Sequence, residues 1–203
     1  MKRLSVVFVL CAIFLPIRAY SQIQMPTPKE GDRWEFKAAT TGSSSSTSDR
    51  LSGNYEVVYL KGQLEAYELA DGKKAPVGPL TSAQLRRMVP FGQDEMQYLK
   101  FPISVGNKWA INYTAESPGV RNPPKRSAEF NVEQEGETTT TAGTFKTLKI
   151  KGSGQTLGRP VTQAWEYFYS SNCKAITKYN YDSAVGGNGG KVEIELTKFT
   201  PGN

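Results

Sequence analysis

The sequence contains no histidine, and only two cysteines among 203 residues. Without imidazole, Ser-His-Asp and Cys-His nucleophilic sites are excluded. So are the usual zinc, copper and non-haem iron ligand sets, which lean on histidine. Chemistry left to this chain would rest on carboxylates, Lys, Tyr or an oxygen-ligated metal. No cofactor and no metal site is expected. Cys11 lies in an N-terminal apolar run, which leaves Cys173 as the one thiol of the remainder. An internal disulfide is then excluded, so the fold must rest on its core. Cys173 is expected as a partly buried free thiol, with pairing between chains as the alternative. Long apolar runs are also missing. The only one, Leu4 to Leu15, is shorter than the roughly 20 residues that span a bilayer.

That run has the layout of a secretory signal. Lys2 and Arg3 precede it, Pro16 and Arg18 end it, and Ala19-Tyr20-Ser21 supplies small residues before Gln22. The expectation is a signal peptide over 1–21 and an exported bacterial product, periplasmic or secreted, with no transmembrane segment after cleavage. A retained anchor is the alternative, against which Pro16 and Arg18 cut the run short. Cys11 lacks the small preceding residues of a lipoprotein site. Loss of Lys2, Arg3 and Arg18 takes the 25 basic residues to 22 against 19 acidic, a net of about +3. The remaining cations are scattered, with short pairs at Lys73-Lys74, Arg86-Arg87 and Lys125-Arg126. Nucleic-acid binding needs them gathered on one face, so no nucleic-acid partner is expected.

Period-two alternation recurs from Arg33 to Phe199. Trp34, Phe36 and Ala38 alternate with Arg33, Glu35 and Lys37; Tyr55, Val57 and Tyr59 with Asn54 and Glu56. Trp109, Ile111 and Tyr113 follow the same rule, as do Ala128, Phe130 and Val132, and Val192, Ile194 and Leu196. Each reads as a strand with one dry and one wet face. Further strands are expected at 63–69, 144–151, 163–169 and 175–181. Breaks are expected at Lys61-Gly62, Asp71-Gly72, Gly136, Gly152 to Gly158, and Gly186 to Gly190. One helix is expected, capped by Thr81 or Ser82 and running from Ala83 to Met88 before Pro90. Thr40 to Ser48 reads as a loop. Gly31-Asp32-Arg33-Trp34 is echoed by Gly106-Asn107-Lys108-Trp109, so residues 28–100 and 101–203 are candidate related halves of one β domain over 22–203. The fold class is all-β with minor α: a curved antiparallel sheet forming a half-open barrel, with a closed barrel or a two-sheet sandwich as alternatives.

From Phe101 to Tyr181 the motifs Pro102-x-x-x-Gly106-x-x-Trp109, Ala142-Gly143-Thr144-Phe145 and Trp165-Glu166-Tyr167-Phe168-Tyr169 follow one another. This order resembles exported bacterial β domains of unknown function. It is distantly similar to the half-barrels that handle lipoproteins in the periplasm. The resemblance implies a fold and supplies no functional residue.

Two chemical readings compete for the remaining residues. Glu193 and Glu195, and the series Glu133, Glu135 and Glu137, raise the alternative of a carboxylate-based hydrolase. Same-face neighbours on one strand point in parallel, however, and do not bracket a substrate as a glycosidase pair does. A solvated outer face is expected instead, and the chain is read as a non-enzyme. Asp182 with Gly186 to Gly190 lacks EF-hand spacing. The sequon at Asn112 falls inside a strand. The aromatics Trp34, Trp109, Trp165, Tyr167, Tyr169 and Tyr179 are the candidate ligand-binding residues. They serve either as a core or as a concave face gripping an apolar ligand: a lipid, an acyl chain or a hydrophobic peptide. The alternative partner is an envelope protein, met through strand edges or the Cys173 region in a structural or assembly role. A covered aromatic face is a core; an open concave one is a site.

Overall fold

The computed structural model describes residues 22–42, 51–92, 96–115, 121–185 and 188–203. The signal segment, residues 43–48 of the Gly/Ser/Thr run and Gly186-Gly187 lie outside the described residues.

The alternating segments form strands. These are β1 (Arg33–Gly42), β2 (Gly53–Leu60), β3 (Gln63–Ala70), β4 (Lys73–Pro76), β5 (Lys108–Thr114), β6 (Lys125–Thr140), β7 (Gly143–Thr156), β8 (Val161–Ser170), β9 (Ala175–Val185) and β10 (Asn188–Thr200). Lys61-Gly62 and Asp71-Gly72 make the expected hairpin turns, with φ of 51°, 80°, 50° and 72° in order. Positive φ at both central residues matches the right-handed twist of the flanking strands. Strand β4 was not anticipated, because all four of its residues are exposed and leave no alternation to read.

Three expectations need correction. Gly136 does not break the chain; it pairs with Thr147 inside the β6–β7 ladder. Gly152 and Gly154 likewise lie within β7, where a Cβ would meet the Phe130 ring at 2.4 Å and Ser127 O at 2.6 Å. They are there for close approach rather than for turning. The helix, α1, runs Pro79–Arg86 from Gly78, with no side-chain cap. Pro79 opens it, since a first-turn proline gives up no needed hydrogen bond.

All strands belong to one antiparallel sheet in the order β4-β3-β2-β1-β10-β9-β8-β7-β6-β5. Consecutive strands pair within β1–β4 and within β5–β10, and β10 returns to pair with β1 and joins the two runs. The sheet is not closed, because β4 and β5 are its edges. It is a curved half-barrel, neither a closed barrel nor a sandwich. No helix among the described residues is long and apolar enough to cross a membrane.

The inner face is covered. Among the described residues between β4 and β5 the chain carries α1, a 3-10 turn at Pro90–Gly92 and irregular chain from 96 to 107. From this connection Leu85, Met88, Val89, Met96, Tyr98, Leu99 and Ile103 enter the same apolar cluster as the strand residues. Hydrogen bonds seat it: Ile176 N donates to Met88 O at 2.8 Å, and Ile23 and Ile103 exchange backbone bonds at 2.8 and 2.9 Å. Satisfied backbone groups let irregular chain lie over an apolar face.

The two Gly-Asp/Asn-cation-Trp corners share one pattern. Gly31 and Gly106 have φ of 87° and 88°. Gly31 N donates to Tyr59 O and Gly106 N to Val132 O; Tyr59 N donates to Asp32 O and Val132 N to Asn107 O. Asp32 and Asn107 each accept from the backbone N–H three residues earlier, of Lys29 and Ser104.

The β6–β7 hairpin outruns its neighbours. Past Leu148, β7 has no pairing with β8, and a bulge between Val132 and Gln134 shifts the register of β6. At the hairpin tip, Thr141 N and Oγ1 donate to Glu195 Oε1 at 2.7 and 2.9 Å. Glu195 lies between buried Ile194 and Leu196 on β10, so it faces outward. The arm therefore lies across the outer face of the sheet, burying Thr138, Thr140 and Thr147.

Candidate functional site

The six aromatic candidates all point to the inner face, and all are buried. Trp109, Trp165, Tyr167 and Tyr179 join one ring-to-ring network, while Tyr169 meets Phe101 and Trp34 meets Phe91 and Phe199 outside it. Phe130 on β6 contacts Trp109, Trp165 and Tyr167 with centroids 5.4, 5.5 and 6.0 Å away. Tyr98, from the covering connection, contacts Tyr167 and Tyr179 at 5.7 and 5.4 Å. Its Oη shares a 2.9 Å hydrogen bond with Tyr179 Oη, and its backbone oxygen accepts from Tyr167 Oη. Trp34 stacks on Phe199 and tilts against Phe91, while its Nε1 donates to Cys173 O at 2.6 Å. Trp109 Nε1 donates to Gln97 O at 3.1 Å. Burial pushes the Tyr167 and Tyr169 phenols above the ordinary tyrosine value, and pushes the Cys173 thiol up to about 11. None of these groups is poised to ionise near neutrality.

The cover does not fill the inner face evenly. At the end where β5 finishes and β6 begins, a cavity of about 70 Å³ remains. One wall is the sheet, with Trp165, Tyr179, Tyr181, Val192 and Ile194. The other is the connection, with Met88, Met96 and Tyr98; Tyr113, Ala115 and Leu51 complete it. Two arginines, Arg87 and Arg126, also line it. A water needs about 10–15 Å³ by this measure, so the space takes several waters or a short apolar group. A second depression of about 230 Å³ lies at the opposite end, between Ile23, Val105, Leu148, Tyr169 and the Glu135–Lys146 ion pair. Ser171, Asn172 and Thr147 make its wall polar, and the aromatic network does not extend into it.

Of the six candidates, Trp165 and Tyr179 line the first cavity and Tyr169 the second, whereas Trp34, Trp109 and Tyr167 line neither. Met88, Met96, Tyr98, Tyr113 and Tyr181 were not singled out from sequence. Tyr113 and Tyr181 could have been, since each continues the alternation of a recognised strand. Met88, Met96 and Tyr98 lie in irregular chain, where no period marks an inward residue.

The carboxylate groups stay apart from the cavity. Glu193 is exposed on the outer face, and Glu195 holds the hairpin tip. Glu133 and Glu135 pair with Lys151 and Lys146.

No protein-family model matches this chain, and no curated protein matches it. Among solved structures it is similar to a candidate lipoprotein from Parabacteroides distasonis ATCC 8503. The TM-score is 0.42 at 10% identity, over 89% of this chain and 100% of that one. It is also similar to a candidate exported protein with a YmcC-like fold from Bacteroides fragilis NCTC 9343. That TM-score is 0.39 at 12% identity, over 89% and 100%. A third similar structure is the hypothetical lipoprotein YmcC from Escherichia coli K12, with TM-score 0.38 and 11% identity over 90% and 92%.

Proposed function

We propose that this chain is an exported, non-enzymatic binding module whose end cavity takes the apolar part of a ligand. The observation that carries the reading is the cavity itself. It is a gap in an otherwise filled aromatic face, walled by Trp165, Tyr179 and Tyr181 on one side and Met88, Met96 and Tyr98 on the other. Methionines suit a wall that must adapt to its occupant, and aromatic rings offer flat apolar area. The size fits the end of an acyl chain or one apolar side chain of a peptide, with the rest of the ligand at the mouth. Export is supported by the charge, apolar core and small-residue order of residues 1–21.

The test uses mature protein taken from its host. Native mass spectrometry and solvent extraction look for a bound lipid, and N-phenyl-1-naphthylamine reports a saturable apolar site. Met96→Trp, which fills the cavity, removes that signal. No extracted ligand and no saturable probe site would sink the proposal. N-terminal sequencing that begins anywhere but near Gln22 would sink its export half.

One observation favours a second reading, an envelope assembly protein acting through a protein partner. Strand β5 is an edge, and Trp109 to Tyr113 carry no charge, whereas the other edge, β4, holds Lys73, Lys74 and Pro76. Lysine and proline blunt an edge; an uncharged edge invites a strand. Cys173 is fully buried and offers no contact. A stoichiometric partner in envelope pull-downs, lost on Ile111→Pro, favours this reading over ligand binding.

A further inference from the structure

The end cavity has apolar walls and a cationic lining. Arg87 is the C-cap of α1 on the connection and is 9% exposed. Arg126 is the second residue of β6, opposite Tyr113 on β5 and Thr156 on β7, both buried. It stands two residues before Ala128 in the series Ala128, Phe130 and Val132, which fills the inner face. Alternation therefore turns Arg126 inward and its exposed neighbour Lys125 outward. One guanidinium comes from the sheet and one from the connection, and both line the cavity with Trp165, Tyr179 and Tyr181. Among the described residues, no aspartate or glutamate lines it.

Arginine keeps its charge throughout the pH range of a folded protein. Walls of rings and methionines hold water back, so the field of the two cations stays strong inside the space. Each guanidinium carries five N–H donors in a planar fork, and a neighbour that engages some of them leaves others for a ligand. That fork matches the oxygens of a carboxylate or a phosphate.

Building on the apolar-ligand reading, we infer that the cavity takes an anionic amphiphile, an apolar tail ending in a carboxylate or a phosphate, and that Arg87 and Arg126 hold the anionic head from the two walls. A tail with a neutral head gains the burial of its apolar area and little more. A tail with an ammonium head meets two like charges. An anionic head gains charge-assisted hydrogen bonds in a site that solvent screens poorly.

The test displaces N-phenyl-1-naphthylamine from the mature chain at pH 7 with four probes of one tail length: octanoate, octyl phosphate, octanol and octylamine. At least one anion is expected to displace the dye at a concentration about tenfold lower than octanol, with octylamine weakest of all. The tighter of the two anions identifies the head group. Arg87→Met and Arg126→Met keep an apolar stem and remove the charge. Each should bring the anion close to parity with octanol and leave octanol itself little changed. Equal displacement by all four probes in the wild type, or an anion preference that survives both substitutions, overturns the inference and leaves the apolar site standing. The absence of a saturable dye site overturns both. If neither variant folds, the order of the four probes on the wild type decides alone.

Discussion

Asp32 is fully buried at the first corner, and its removal gives the sharpest test of how the fold is fastened. Its carboxylate accepts from Lys29 N at 2.8 Å, Gly202 N at 2.8 Å and Lys174 Nζ at 2.7 Å. It thus ties the start of β1 to the C-terminal residues and to the β8–β9 turn. The Lys174 side chain is only 17% exposed, so Asp32→Asn leaves a largely buried ammonium without its counter-charge. Breaking such a pair costs about 3–5 kcal/mol, against a total stability of about 5–15 kcal/mol. With a urea slope of about 1–3 kcal/mol/M, the midpoint at pH 7 should fall by at least about 1 M. Tryptophan fluorescence reads the transition. Burial alone would raise the Asp32 pKa, but the hydrogen bonds from Gly202, Lys174 and Lys29, with the Lys174 charge, outweigh it and hold the pKa below the ordinary carboxylate value. The folded pKa is lower than the unfolded one. The stabilisation is therefore complete above the unfolded value of about 3.9 and is lost as pH falls from there through the folded pKa. The gap between wild type and Asp32→Asn should be widest at neutral pH and should shrink in acid. Adding Lys174→Met to Asp32→Asn should recover part of the loss. A midpoint unchanged at pH 7, or a gap constant down to the acid end, refutes the account.

Three further outcomes follow from the geometry. Cys173, with its thiol pushed up to about 11 and no exposure, should resist a disulfide reagent at pH 8 and react only as fast as the protein unfolds. Gly154→Ala places a Cβ 2.6 Å from Ser127 O and 2.9 Å from Trp165 Cζ3. A backbone neighbour cannot yield cheaply, so thermal unfolding should show a loss of about 1–3 kcal/mol. Gly62→Ala meets nothing within 4 Å, but at φ of 80° it should still cost about 1 kcal/mol through backbone strain alone.

The strands were legible because each buries one face and wets the other. Trp34-Phe36-Ala38 and Val192-Ile194-Leu196 state that pattern directly, and both run along the inner face. Where a rule other than alternation governs, the reading failed. Gly152 and Gly154 look like a turn in sequence, yet they are flat seats for the Phe130 and Trp165 rings of neighbouring strands. Such a need is set by residues more than ten positions away, and no local signal carries it. Gly136 failed for another reason. Beyond the bulge near Glu133 the hairpin arm turns its even-numbered residues, Thr138 and Thr140, against the outer face. An outer face that is itself covered does not read as polar-out. The candidate site was half legible: the sheet-side wall came from strand periodicity, and the connection-side wall did not.

That connection decides what the aromatic face is. A half-barrel leaves its concave surface exposed unless something fills it, and here the filling is chain from the gap between β4 and β5. Tyr98 occupies the centre of the ring network, and Phe91 lies on Trp34. Trp34, Trp109 and Tyr167 are therefore committed to holding the cover in place. They could meet a ligand only if the hydrogen bonds of Met88 O, Tyr98 O and Ile103 to the sheet and N-terminal segment were given up. Trp165 and Tyr179 differ in that each also lines the end cavity, although Tyr98 of the cover reaches Tyr179. Core and site are thus parts of one continuous face, and the boundary is set by where the irregular chain packs against the sheet and where it leaves a gap, rather than by any change in the strands beneath it.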